Sequence, residues 1–202
     1  MAIGRQAQTL EKRQLARLLE HVDRGRTAAR DRVIVLLSYK AGLRAIEIGG
    51  VRWRMVTTAA GAIADLLALE NEATKGGRSG RAIPLAGELR EALDTLRFWA
   101  INTGTFRGDA FVCRFRKGSS DRATRADTVR KLFERWYRAL GFHGCSSHSG
   151  RRTFATRGLR HLGKTGASSR DLQQLTGHKR LATLEGYVDG SRKAQRKLVE
   201  FA

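Results

Sequence analysis

Apolar residues recur at helical spacing along most of the chain. Leu15, Leu18, Leu19 and Val22 fall at i, i+3, i+4 and i+7, the pattern of a helix that buries one face. Thr9 is its candidate N-cap, with Glu11 in the first turn. The run RVIVLLSYKA, beginning at Arg32, predicts a buried helix that stops at Gly42. The most regular stripe is Val129, Leu132, Phe133, Trp136, Tyr137 and Leu140, closed by Gly141. Leu89, Leu93, Leu96 and Ala100 line another face after Gly87. Stripes like these are how surface helices bury a face, so their aromatics are read as core side chains.

Residues 51–85 break the helical pattern. GAIADLLALENEATKGGRSGRAIPL has two apolar stretches around a Gly-rich basic centre and holds the chain's one proline, Pro84, which predicts a small antiparallel sheet with a hairpin tip. In the last third, glycines at 158, 163, 166, 177, 186 and 190 are expected to divide the chain into short helices, and Ser168–Asp171 (SSRD) fits a capping box. There is no internal repeat and no linker. The expected architecture is mainly α with a small antiparallel β-sheet (α+β). It forms one domain over 1–202, with a core at about 9–190 and a tail at 191–202.

Charge narrows the partner. The 39 Lys and Arg residues outnumber 19 acidic ones, a formal +20 spread from Arg13 to Lys197. Such a surface suits a polyanion, and nucleic acid fits better than a membrane. No stretch approaches the roughly 20 apolar residues of a spanning helix, and the N-terminus has no signal-peptide core. Cys113 and Cys145 have neither metal nor disulfide spacing, so they read as reduced thiols in a cytoplasm.

Several polar residues stand out against this background. Arg44 follows the glycine that ends a buried helix, with Glu47 three places on. His148 and Arg151 share a helix face at i and i+3. Two groups that can both be cationic gain from facing each other only when an anion lies between them; taken alone, the pair reads as a solvated basic face. His178 and Tyr187 are nine residues apart, which puts them on opposite faces of any single helix. They can serve one site only if the chain breaks between them, and each alone reads as structural.

In order, AGLRAIEI, RAIPL, HSGRRTFAT and TGHKRLATLEGY make a longer pattern. Arg44 follows a helix-ending glycine, Lys75 sits at a hairpin tip, His148-x-x-Arg151 comes next, and then Gly177-His178 and Tyr187. This resembles the catalytic domain of the tyrosine recombinase (phage integrase) family over about residues 9–190. Each motif alone is weak; their order is the specific signal.

The resemblance implies a fold and a chemistry. Arg44 and Arg151 would grip the non-bridging oxygens of a phosphodiester, with Glu47 orienting Arg44. Tyr187 would attack phosphorus to give a 3′-phosphotyrosine, His148 would act as base, Lys75 would protonate the departing 5′-oxygen, and His178 would hydrogen-bond the phosphate. Such a reaction demands on the order of 20 kcal/mol of barrier reduction, while one placed donor supplies about 3 to 4 kcal/mol. A single arginine is therefore insufficient. The covalent link conserves the bond energy, so neither ATP, metal nor other cofactor is implied, and the sequence has no carboxylate cluster for a metal. The implied partners are double-stranded DNA, three further copies in a tetramer on paired sites, and accessory DNA-binding proteins, in a bacterial cytoplasm at the nucleoid.

Departures from the family pattern are Thr176 in place of leucine, Arg152 in place of a frequent histidine, and Gly186 before the tyrosine. The helical core-binding domain that usually precedes the segment starting near Thr9 has no counterpart here, as in a short recombinase or a fragment. Leu198, Val199 and Phe201 would let the tail dock on a neighbouring protomer or pack on its own. A non-catalytic DNA-binding accessory factor and a type IB topoisomerase remain as alternative functions.

Overall fold

The computed structural model describes residues 7–73, 80–115, 122–187 and 199–200. In chain order these form α1 (Lys12–Asp23), α2 (Ala28–Lys40), α3 (Ala45–Gly50), β1 (Leu66–Leu69), β2 (Arg81–Pro84), α4 (Gly87–Asn102), α5 (Ala126–Leu140), α6 (Ser149–Thr165), α7 (Ser169–Thr176) and α8 (Leu181–Glu185).

Helix α2 is central because its sequence leaves it no solvent face. Every residue from Val33 to Tyr39 is buried, so the helix must be covered on all sides; α1, α3, α4 and α6 supply that cover. Leu36 and Leu37 are fully buried, each worth about 1.5–3 kcal/mol relative to exposure. On α5 the expected stripe is buried from Val129 to Tyr137, and Phe133 meets Trp136 edge to face at 5.3 Å.

The predicted hairpin forms. β1 and β2 pair antiparallel, with Leu67 opposite Ile83 and Leu69 opposite Arg81. Leu67, Leu69 and Ile83 are buried, and alternation places Arg81 on the same face of β2 as Ile83.

Two expectations are corrected. The N-cap of α1 is Glu11, whose backbone N–H donates to the Gln14 carboxamide at 2.9 Å; Thr9 lies upstream, where the Leu10 N–H is held by Thr153 Oγ1 at 2.7 Å. Gly158 and Gly163 do not break the chain, because α6 runs through both and ends at Gly166. A Cβ at Gly158 would sit 2.6 Å from Leu172 Cδ1, so this glycine makes room for α7 inside an unbroken helix. Helices α6 to α8 enclose a small core of their own, Ala155, Leu172 and Leu184. Among the described residues no helix is long and apolar enough to cross a membrane.

Candidate active site

The site begins where α2 stops. Gly42 has φ +64°, and a Cβ there would meet Phe154 Cδ1 at 2.6 Å, so both backbone and space demand glycine. Two residues later, Arg44 occupies the N-cap position of α3, with Glu47 at N3. Glu47 accepts the Arg44 backbone N–H and its Nη1, both at 2.8 Å. One carboxylate thus caps the helix and orients the guanidinium.

Helix α6 reaches this turn by a close crossing. A Cβ at Gly150 would stand 2.3 Å from Ser38 Oγ of α2. That approach seats the adjacent Arg151, only 2% exposed, beneath the turn. Its Nη1 donates to Gly42 O at 2.7 Å, and its Nη2 lies 2.7 Å from Thr176 O and 3.1 Å from His178 Nε2.

The C-terminus of α7 gathers the arginines. Helix-terminal carbonyls lack intrahelical partners and carry partial negative charge. Here Leu175 O accepts from Arg81 Nε at 2.8 Å, Thr176 O from Arg151 Nη2 at 2.7 Å, and Gly177 O from Arg44 Nη2 at 3.4 Å. Three consecutive carbonyls therefore receive guanidiniums from β2, α6 and the α2–α3 turn. Arg81 was missed as a site residue at the sequence level. The signal for it was a charged residue two places from buried Ile83, on the inward face of a strand.

Thr176 acquires a reason as well. Its Oγ1 donates to Leu172 O at 2.8 Å, so toward His178 Nδ1, also 2.8 Å away, it acts as acceptor. The network assigns the neutral imidazole proton to Nδ1 and leaves Nε2 to accept from Arg151. Burial, then the charges of Arg151, Arg44 and Arg81, push the His178 pKa down to about 4. Burial likewise lowers Arg151, to about 10, with Arg44 adding to the shift; it stays protonated at neutral pH. Burial alone would raise Glu47, but the Arg81 hydrogen bond and charge, followed by those of Arg44, hold it below its ordinary value.

Gly177 ends α7 and α8 ends at Gly186, and this broken path turns His178 and Tyr187 toward each other, ring centroids 5.4 Å apart. Tyr187 is half-buried, its carbonyl held by Thr156 Oγ1 at 3.1 Å, and the Arg152 guanidinium stands 5.8 Å from its ring. His148 is the N-cap residue of α6. Although the residue as a whole is exposed, partial burial of its ring lowers its pKa, followed by the charges of Arg151, Arg44 and Arg130. His148, Arg151, Arg152 and Tyr187 line an open cleft of about 480 Å³. Lys75 lies outside the described residues. Among the described residues no three His, Cys, Asp or Glu side chains cluster to hold a metal ion.

Residues 8–193 match the family model described as "Phage integrase family". The chain belongs to that family. Tyrosine recombinase XerC of Pelobacter propionicus is 30% identical over 159 residues, 79% of this chain and 47% of that protein. Tyrosine recombinase XerA of Thermococcus kodakarensis is 30% identical over 181 residues, 85% of this chain and 56% of that protein. The chain thus spans about half the length of these phage integrase relatives. Its fold matches the crystal structure of XerA recombinase with a TM-score of 0.70 at 21% identity, over 94% of this chain and 63% of that one. It also matches XerH site-specific recombinase bound to difH substrate, with a TM-score of 0.68 at 19% identity, over 98% of this chain and 55% of that one. The mostly helical architecture with a two-stranded sheet is therefore that of the family's solved members.

Proposed function

We propose that this chain is the catalytic part of a site-specific DNA recombinase, cleaving and rejoining strands through a 3′-phosphotyrosine. The observation that carries the reading is a cleft lined by His148, Arg151 and Tyr187, with Tyr187 packed on a neutral histidine that holds Arg151 and a carboxylate-oriented Arg44 bonded to the same end of α7.

The Tyr187 oxygen attacks phosphorus and the P–O5′ bond breaks. The phenolic proton passes to His148, whose lowered pKa keeps it neutral and able to accept. Lys75 supplies a proton to the departing 5′-oxygen, and reversal by another strand's 5′-hydroxyl rejoins the DNA. Arg44 and Arg151 stabilise the charge that builds on the non-bridging oxygens. In the resting network His178 Nε2 faces Arg151 as an acceptor, so His178 braces that arginine; donating to phosphate requires a second ring proton, which a nearby anion favours.

Double-stranded DNA is the substrate, and the +20 charge supplies an affinity that falls steeply with salt. Four copies on paired sites, aided by accessory DNA-binding proteins in a bacterial cytoplasm, complete the reading. Expression of native protein and a Tyr187→Phe control, rapid denaturation without crosslinker and sequencing of protein-bound DNA test it. Adducts at discrete sites are expected from the native chain alone. Equal recovery from both proteins would remove the nucleophile, and adducts scattered without site preference would indicate a topoisomerase-like activity.

A further inference from the structure

Arg81 is a buried arginine on a short strand, its side chain 7% exposed. Burial of a guanidinium is costly unless it is paired and hydrogen-bonded, and Arg81 is both. Its Nη1 and Nη2 reach the two oxygens of Glu47 at 3.2 and 3.1 Å, in fork geometry, while Nε holds Leu175 O at 2.8 Å. Gly177 packs against the same guanidinium, since a Cβ there would lie 2.9 Å from Arg81 Nη1.

Glu47 is fully buried and accepts two hydrogen bonds on each oxygen, one from Arg44 and one from Arg81. A carboxylate offers about four lone-pair sites, so the bonding is saturated. The charge count is more telling. With Arg44 as sole partner, Glu47 would form a neutral pair and cancel the charge of Arg44. With Arg81 present, the three groups sum to one positive charge.

Resting on the proposed function, we propose that Arg81 is a positioning residue for Arg44. It gives Glu47 a counter-charge of its own, so that Glu47 fixes the direction of the Arg44 guanidinium without cancelling its charge toward the phosphate. Through Leu175 O and Gly177 it also holds the turn that carries His178. Glu47 alone does not suffice; the acid needs its own arginine.

The test uses the cleavage site recovered from the native protein's adducts, as a synthetic duplex with either an ordinary phosphodiester or an uncharged methylphosphonate at the scissile position. Arg81→Met is expected to slow adduct formation on the phosphodiester by about 10- to 100-fold, the range carried by outer partners of a charged centre. On the methylphosphonate, which has no charge for Arg44 to meet, it should slow the reaction far less. Adding Glu47→Gln to Arg81→Met removes the negative charge that would otherwise cancel that of Arg44 and should recover part of the lost phosphodiester rate. Arg81→Lys keeps the charge without the fork and should lose less than Arg81→Met; if the Met variant does not fold, Arg81→Lys alone must still show the larger loss on the phosphodiester. Equal losses on both substrates, or a double variant no better than the single, overturn the positioning role while leaving the recombinase reading intact. A native protein that forms no adduct anywhere overturns both.

Discussion

The body around α2 and the α6–α8 unit are held by different chemistry. The body is an apolar core in which Val33 to Tyr39 are covered on every side. The α6–α8 unit has a buried core of only Ala155, Leu172 and Leu184; its α7 sets Leu175 against the larger core and is otherwise tied to β2 and the α2–α3 turn through carbonyls that accept from Arg81 and Arg44, with Arg151 of α6 on the carbonyl between them. Apolar burial is indifferent to charge and direction. The arginine bonds are directional and hold the groups that would meet a phosphate. The contrast separates stability from site geometry: the large core makes the molecule fold, and the polar seam sets where the proposed reactive groups stand.

Arg151→Lys attacks the seam and should have the largest effect. Lysine keeps the charge but cannot reach Gly42 O, Thr176 O and His178 together, so adduct formation should slow about 100- to 1000-fold in a timed cleavage assay. A near-native rate would mean that the fork is dispensable.

The two cores can be compared directly. Leu36→Ala should cost about 2–5 kcal/mol in urea unfolding of the whole chain. Leu172→Ala should act locally, speeding amide hydrogen exchange in α7 and α8 while the global midpoint moves much less. If both substitutions lower that midpoint equally, the small core is no separate unit.

The smallest expected effect is acid sensitivity. Folded His178 has a pKa of about 4 against an ordinary 6.5, so between these values the unfolded chain binds a proton that the folded chain does not. The stability this contributes is present in full above pH 6.5 and lost as pH falls toward 4. His148 shifts in the same direction, and Glu47, held below its ordinary value, adds a further loss as it protonates at lower pH. Melting temperature should therefore fall on acidification from pH 7 to 4.5, less steeply in His178→Gln. Identical slopes for the two proteins would put the titration elsewhere.

Much of this was legible in the chain. The α5 stripe, the hairpin pairing and the stop at Gly42 follow from local rules of periodicity and turn chemistry, and the structure bears them out. The Ser168–Asp171 capping box is present as read. Gly158 misled because a glycine that makes room for another helix looks, in one dimension, like a glycine that ends its own; only the position of Leu172 distinguishes them. The α1 cap moved from Thr9 to Glu11 because Gln14 offered a reciprocal partner.

By itself, the sequence determined the helical class, the hairpin, the basic surface, and the family through an ordered set of motifs. These depend on neighbours a few residues apart or on order alone. The tertiary structure decided that three arginines from separate elements end on consecutive carbonyls of α7. It also decided that Thr176 sets the tautomer of His178 and that Arg81 shares Glu47 with Arg44. The arginine contacts require groups distant in sequence to meet within hydrogen-bond range, and the tautomer of His178, though set by a residue two places away, depends on the turn after α7 that brings the two side chains together; periodicity carries no information about either.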